Sequence, residues 1–585
     1  MTEQKRSVLR DAWRLAKPYW QSEDKRWAWG LLVVVVVLNL GLVYINVRLN
    51  EWRNDFYNAL QNYDEKAFFY QLLIFSALAA TYIICAVYQI YLQQMLQLRW
   101  RRWLTRRYLD GWLGERAYYR MQLAGAGTDN PDQRISEDLD RFTRYSLALS
   151  VGGTGFLNAG VTLVSFMAIL WSLSGPLAVP LGSWGTIAIP GYMVWFAFLY
   201  AVGGTWLTFK VGRPLVKLNF DQQRYEADFR FSLARLRENT ESVALYGGEQ
   251  RERAAFLDRF GRVVDNFWSI MKRIKTVGWW TSGYGQFAVI FPYIVAAPAY
   301  FAKSFQLGGL MQTAGAFDQV QGALSFIVSN YAGYAGSESI SEWQSVVQRL
   351  TSFEERVREV TTAARAPQQI ERQHEGAGLD VSDLDIDVPN GTPLLRGVGF
   401  AAQPGEALLV AGPSGVGKST LLRAIAGIWP FGRGRIRIGA GRTLFLPQRP
   451  YLPLGTLRNA LLYPREDERV PDERLKASLQ TVGLGALASE LDEGSNWARR
   501  LSLGEQQRLA FARILLGEPA IVFLDEATSA LDEASEAELY RLLRAAPWRP
   551  TVISVGHRST LREFHDRLLS LDGAGARQKG VAAAS

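Results

Sequence analysis

Nine consecutive residues, Gly412, Pro413, Ser414, Gly415, Val416, Gly417, Lys418, Ser419 and Thr420, have the types and spacing that hold a polyphosphate. The glycines let backbone N–H groups turn toward phosphate oxygens at the positive end of a following helix. Lys418 is placed to hold the β- and γ-phosphates of a nucleoside triphosphate, and Ser419 to bind Mg2+. Asp525-Glu526 ends the apolar run Ala520–Leu524, where one carboxylate suits Mg2+ and its neighbour suits polarising a water for attack on the γ-phosphate. Gln448 follows Leu444-Phe445-Leu446 and is an amide placed to sense metal and water, while His557 follows the β-branched run Thr551–Val555 and can contact the γ-phosphate. Ser502, in Leu501-Ser502-Leu503-Gly504-Glu505-Gln506, offers a hydroxyl and helix N-terminal amides as an anion site.

These groups need a parallel α/β scaffold. Ala407–Ala411 reads as a buried strand and Leu421–Ala426 has helical spacing, so the glycine loop falls between strand and helix. A chance glycine-rich turn would lack those flanks. The ordered set resembles the nucleotide-binding domain of an ABC ATPase: Gly412–Thr420 matches its Walker A, Gln448 its Q-loop, Leu501–Gln506 its signature, Asp525 and Glu526 its Walker B and catalytic base, Ser529–Asp532 its D-loop, and His557 its switch histidine. The resemblance implies ATP and Mg2+ as cofactors and catalytic roles for Glu526 and His557. It implies nucleotide contacts from residues 412–420, Gln448, Ser502, Gly504, Glu505 and Asp532, and metal contacts from Ser419, Gln448 and Asp525. Two departures stand out. The signature reads Leu-Ser-Leu-Gly-Glu instead of the commoner Leu-Ser-Gly-Gly-Gln, and Val388 stands where many such domains carry an aromatic for the adenine; Trp429 or Phe431 could stack instead, or pack. In such domains the signature of one subunit closes on ATP held by the Walker A of another. One set per chain therefore implies a second copy as partner, most simply in a homodimer, with a heterodimer left open.

The chain has 585 residues, enough for more than one domain, and 48% of them are apolar. That average hides a division, since the long uncharged runs lie in the first 350 residues or so and the rest resembles a soluble α/β domain. The formal charge of +9 clusters beside apolar stretches, which fits anionic lipid better than nucleic acid. A lone cysteine, Cys85, excludes an intrachain disulfide framework. No secretory signal is visible, because the first apolar run follows a charged leader and is too long for a signal core.

Residues 1–26 suggest an amphiphilic helix at the membrane surface, with a frayed polar tail as the alternative. Trp27–Val47 and Ala67–Leu98 read as the first two membrane spans, and the basic stretch Arg99–Arg107 places the N-terminus in the cytoplasm. Tyr145–Phe209 contains no charge and is broken by Gly175-Pro176, Pro180 and Gly182, so it reads as two spans joined by a short outer loop. Thr276–Ala302 is a fifth span. Thr313–Ile340 is a sixth, although Asp318, Gln319, Gln321 and Asn330 would also suit an amphiphilic soluble helix. Two cytoplasmic excursions, 99–144 and 210–275, are long enough to touch the nucleotide domains, with turn-forming tips expected at 130–138 and 241–249. The expected organisation is a leader at 1–26, a six-helix transmembrane domain at 27–361, a linker at 362–378 and an ABC nucleotide-binding domain at 379–585.

Trp52–Leu60, Asn130–Ile135, Ala244–Gly248 and Leu307–Met311 in the membrane half, with Phe445–Tyr451 in the ATPase half, resemble the BacA/SbmA-related ABC transporters, whose nearest relatives include the peroxisomal fatty-acyl transporters. The resemblance implies an α-helical six-span domain of exporter type followed by an α/β P-loop ABC domain. It implies ATP-driven transport in a bacterial inner membrane, with both termini and the ATPase cytoplasmic. Its members include importers of peptides and of hydrophilic solutes such as cobalamin, and others that move acyl-CoA. Uptake of hydrophilic solute is the first expectation and fatty-acyl or lipid cargo the second. A membrane-anchored ATPase with a sensing or assembly role is a third. The partners expected are a second copy, the bilayer and the solute, without nucleic acid.

Overall fold

The computed structural model describes residues 8–123, 125, 130–153, 155–174, 176–180, 186–331, 340–365, 369–465, 469–572 and 575–580. The chain forms two compact units: residues 1–114 with 128–356, and residues 115–127 with 357–585.

In the membrane unit, α1 (Val8–Trp20) is amphipathic and buries Ala12, Leu15, Ala16 and Tyr19 while Trp13 stays exposed. Tyr19 stacks on Trp100, with ring centroids 5.8 Å apart. The leader is thus a docked helix as far as it is described; residues 1–7 lie outside the described set. α2 (Lys25–Gln61) and α3 (Glu65–Leu113) follow, and their 37 and 49 residues outrun a hydrocarbon core of about 30 Å. The chain turns at Gly114, with Glu115 and Arg116 in the left-handed region (φ 50° and 56°), and enters α4 (Ala117–Leu123), which belongs to the ATPase unit.

This turn corrects the tip expected at 130–138. That stretch begins the returning helix: Pro131 starts it, and Arg134–Asp138 form one π-helical turn leading into α5 (Leu139–Val151). The wider turn brings Asp138 inside, where it is fully buried and binds Arg134 at 2.8 Å and Arg349 at 2.6 and 2.9 Å. A buried carboxylate needs such partners.

α6 (Phe156–Ser174) continues the path after a break that the sequence reading did not locate. At Gly152 and Gly155 a Cβ would lie 2.5 and 2.7 Å from the Ala148 carbonyl oxygen, so glycine alone fits the sharp bend. The carbonyl freed at Val151 accepts from Asn39 Nδ2 at 2.7 Å, and Asn39 sits buried near the middle of the apolar part of α2. The two expected spans are α6 and α7 (Tyr192–Glu238), joined by a hairpin of β1 (Pro176–Pro180) and β2 (Thr186–Pro190); Gly175 and Gly182 lie outside the described residues. α8 (Thr240–Tyr246) ends at Gly247 (φ 61°), and α9 (Glu249–Phe301) returns.

Among the described residues, five helical stretches are long and apolar enough to cross a membrane. α10 (Leu307–Tyr331) has the length to be the sixth span but is less apolar, and it is placed among α2, α6, α7 and α9. Its Ala316, Phe317 and Val320 are buried with Phe166, Leu170 and Tyr192, so neighbouring helices replace lipid around much of it. The start of α10 and Gln312 meet α2 in one polar seam. Leu307 N–H donates to Gln61 Oε1 (2.7 Å), Gly308 N–H to Asn58 Oδ1 (2.9 Å), Asn54 Nδ2 to Gln312 Oε1 (3.0 Å) and Asn50 Nδ2 to the Gln312 carbonyl (3.0 Å). The motifs at 52–60 and 307–311 are therefore two sides of one helix cap. The far end of the expected sixth span, 332–339, lies outside the described residues. α11 (Ile340–Arg365) leads on toward the ATPase unit.

Among its described residues the ATPase unit holds two large sheets, besides a short antiparallel pairing of Gly455–Thr456 with Gly494–Ser495. One has four strands in the order β3 (Ile370–Gln373), β7 (Gly432–Ile438), β4 (Leu379–Asp387) and β5 (Pro393–Ala402). The other has six, with β6 (Ala407–Ala411), β8 (Thr443–Leu446), β9 (Ile521–Asp525), β10 (Thr551–Val555), β11 (Arg567–Asp572) and β12 (Gly575–Gly580) in the order β12-β11-β6-β10-β9-β8. All its pairings are parallel except β12 with β11. Both faces of β6 are covered: Leu408 and Val410 pack with Val381, Ile386 and Leu395, whereas Ala407 and Leu409 pack with Trp497, Leu509 and Tyr540. α4 joins this unit through Leu123, which packs on the first of these cores, and through Arg116 Nη1, which donates to the Ala426 carbonyl at 3.3 Å.

His565 is buried behind the large sheet, with Nε2 2.8 Å from Ser554 Oγ and Nδ1 2.6 Å from the Leu561 carbonyl. Burial pushes its pKa down to about 4. The unfolded chain takes up this proton near pH 6.5 and the folded chain only near 4, so stability is lost as pH falls between them. The full effect is about 3 kcal/mol. In pH-dependent melts of the full chain, the ATPase unit is expected to unfold earlier at pH 4.5 than at pH 7, and His565→Asn to remove most of that difference.

Candidate nucleotide site

The glycine loop follows β6 and runs into α12 (Lys418–Ile425). Gly415 and Gly417 have φ of 80° and 106°, which the loop needs to bring its N–H groups inward. Pro413, Ser414 and Val416 form the arch between Gly412 and Gly417, and Thr420 stands in the first turn of α12. Lys418 is buried and its Nζ donates to the Gly412 and Pro413 carbonyls, both at 2.9 Å. Burial lowers its pKa, against the pull of Glu526 and Asp525. Loop carbonyls satisfy such an ammonium poorly compared with phosphate.

Ser419 Oγ donates to Asp525 Oδ1 at 2.8 Å, and burial raises the pKa of that carboxylate. A hydroxyl beside a carboxylate, next to a phosphate loop, is the hard oxygen set that suits Mg2+. Gln448, Glu526 and His557 come together because β8, β9 and β10 are parallel and in register, Leu446 beside Leu524 and Asp525 beside Val555. The loops after those strands open on one edge. Gln448 Nε2 donates to Glu526 Oε2 at 3.1 Å, and His557 Nε2 lies 3.1 Å from Glu526 Oε1. Glu526 has φ 50°, and its N–H donates to the Val555 carbonyl at 3.0 Å.

The signature lies apart. Ser502 caps α13 (Leu503–Gly517) in a reciprocal box: its Oγ accepts from Glu505 N–H at 3.3 Å and donates to Glu505 Oε2 at 2.7 Å, while its own N–H donates to the same oxygen at 2.9 Å. These hydrogen bonds hold the pKa of Glu505 below its usual range. No hydrogen bond among the described residues joins Ser502 or Gly504 to Lys418, Ser419 or Asp525. A Cβ on Gly504 would lie 3.2 Å from Leu531 Cδ2 and 3.3 Å from the Ala530 carbonyl, so this glycine backs the 529–532 loop. Asp532 caps α14 (Glu533–Arg544), accepting from Ser535 N–H at 2.8 Å, and that pairing lowers its pKa.

Two linking residues were not foreseen. Gln507 is fully buried, donates to the Gln448 carbonyl at 3.0 Å and to Ser529 Oγ at 3.3 Å, and accepts from Ala530 N–H at 3.0 Å. Arg558 donates to the Leu531 carbonyl at 2.8 Å and lies 3.5 Å from buried Glu536. The only sequence signal for Gln507 was its place after the signature. Of the two aromatics considered for the adenine, Trp429 is buried, donates from Nε1 to the Asp387 carbonyl at 2.9 Å and meets Phe431 edge-on; both pack against the core.

Gln507→Ala is expected to cut ATP turnover about tenfold, the rate equivalent of one to two buried hydrogen bonds, while ATP affinity changes by less than about twofold. Steady-state hydrolysis beside equilibrium binding of a fluorescent ATP analogue checks this, and unchanged turnover would sink it.

Residues 15–301 match the family described as ABC transporter transmembrane region 2, and residues 395–529 the one described as ABC transporter. The chain is 36% identical to the ABC transporter D family member 2, chloroplastic, of Arabidopsis thaliana, over 97% of this chain and 87% of that protein. It is 34% identical to the inner membrane ABC transporter ATP-binding protein YddA of Escherichia coli (95% and 96% covered). A lysosomal cobalamin transporter of Mus musculus is 28% identical (96% and 93% covered). A bacterial Atm1-family ABC exporter with ATP bound superposes with a TM-score of 0.67 at 17% identity, covering 96% of each chain.

Proposed function

The chain belongs to the ABC transporters that carry a membrane region and an ATPase on one polypeptide, and on that premise we propose that it is a homodimeric importer of hydrophilic solutes. ATP hydrolysis drives transport across the membrane, with ATP and Mg2+ as cofactors. The reading places the chain in a bacterial inner membrane, supported by its Escherichia coli relative, with both termini and the ATPase cytoplasmic. It keeps functional boundaries at 27–361, 362–378 and 379–585, although the end of α11 and strand β3 (Ile370–Gln373) of the ATPase sheet fall within that linker; its residues 366–368 lie outside the described set.

Within each copy, Lys418 and the loop amides bind the β- and γ-phosphates, and Ser419, Asp525 and Gln448 hold Mg2+. When bound, the metal neutralises phosphate charge. Glu526, oriented between Gln448 and His557, takes the proton of the attacking water. His557 and the Gln448 amide fix the direction of its carboxylate. Among the described residues Ser502 and Gly504 make no hydrogen bond to Lys418, Ser419 or Asp525, which supports their serving a second copy. ATP need only favour one arrangement to shift the population toward it. α4 gives that shift a route: half-buried Leu123 packs against the ATPase core, and Arg116 donates to the carbonyl at the end of α12, the helix that starts at Lys418.

The cargo reading rests on Asp318. It is exposed on α10 and has no ion pair or hydrogen bond among the described residues, whereas Gln312 is engaged in the seam with α2. An unpaired carboxylate on a span belongs to a wet path rather than to lipid. The lysosomal cobalamin transporter among its relatives points the same way.

Accumulation of labelled peptide and labelled cobalamin in cells tests the reading. Glu526→Gln is expected to keep ATP binding and lower hydrolysis and uptake by about a hundredfold or more. Asp318→Asn is expected to lower uptake while basal hydrolysis persists. Equal accumulation with and without Glu526 would turn the assignment to acyl or lipid cargo, and normal hydrolysis in Glu526→Gln would overturn the catalytic role.

A further inference from the structure

The signature carries a carboxylate where an anion is to bind. Ser502 has one hydroxyl proton, and in this structure it goes to Glu505 Oε2 at 2.7 Å, with the Ser502 N–H directed to the same oxygen at 2.9 Å. Both donors of Ser502 are therefore committed to another anion. A hydroxyl donates once, so Ser502 cannot serve Glu505 and a phosphate oxygen together. The phosphate would also face the carboxylate across the shared hydroxyl, and like charges at that separation repel. Both side chains are exposed, so the contact is accessible and breakable.

We propose that Glu505 blocks its own signature: it holds the Ser502 donors until ATP on the opposing copy displaces it, so that closure of the ATPase pair requires more ATP than a neutral residue at 505 would. The proposal rests on the two-copy reading above. Hydrogen bonds from Ser502 already hold the Glu505 pKa low, so the group stays charged at neutral pH and proton uptake gives no easy release. The same residue completes the helix cap, which gives the block a structural origin. Neither function can be removed by deletion alone, but they can be separated by charge. Gln at the third position of a capping box accepts the N-cap N–H as Glu does. Glu505→Gln therefore keeps the cap and removes the repulsion.

The test uses the full chain in lipid nanodiscs with Glu526→Gln to stop hydrolysis, Cys85→Ser, and a spin label at Glu473→Cys, an exposed position away from the site. Pulsed EPR distances between the two copies report closure as ATP is titrated. The half-closing ATP concentration is expected to fall about five- to tenfold in Glu505→Gln, in line with removal of a charge-assisted contact. Glu505→Asp, which keeps the charge, is expected to show no fall. Equal ATP dependence with and without the Glu505→Gln substitution overturns the proposal alone. A higher requirement in Glu505→Gln also overturns it, since the carboxylate would then be helping to hold nucleotide. Closure in neither protein overturns the two-copy reading, and this proposal with it.

Discussion

Parallel registration of β8, β9 and β10 decides where the chemistry gathers. In a parallel sheet every strand ends on the same edge, so three loops far apart in sequence deliver Gln448, Glu526 and His557 to one carboxylate-centred cluster. β6, beside β10, brings the phosphate loop to that edge as well. Sliding one strand by a single residue would turn its side chains to the opposite face. The apolar packing on both faces of β6 and its neighbours is what forbids that slip. The core of the ATPase unit is in this sense the positional control of its site.

Much of this was legible in sequence because the relevant signals are local. Ala407–Ala411, the glycine loop and Lys418 form a contiguous strand, turn and helix, each with its own period or turn chemistry. The apolar spans declared themselves by length. What stayed hidden are contacts set by tertiary packing. Gln507 is an ordinary amide in a helix until its neighbours show that it ties two loops together. Asp138 read as part of a polar turn, yet it is enclosed by Arg134 and Arg349, and Arg349 lies 211 residues away. The glycines at 152 and 155 fell inside an uninterrupted apolar run, and apolar character alone cannot distinguish a continuous helix from a bent one.

The membrane unit follows a related logic with different materials. Its asparagines and glutamines on α2 do not line a face at random; they supply acceptors and donors for the start of α10, where backbone amides would otherwise lack partners. The amides of α2 and Gln312 of α10 are thus the means by which one helix end is stabilised against another. Asp318, the one acidic residue of α10, has no ion pair or hydrogen bond among the described residues, which is why it carries weight.

The bend between α5 and α6 has a mechanical consequence. An unbroken helix behaves as a stiff strut, and a push at one end arrives at the other nearly undiminished. This strut is cut around Gly152 and Gly155, where the amide of Asn39 ties it to α2. Its two halves form a jointed lever, with α2 as the pivot. Displacement entering along α5 can be converted into rotation at the joint, leaving α6 free to keep its own tilt.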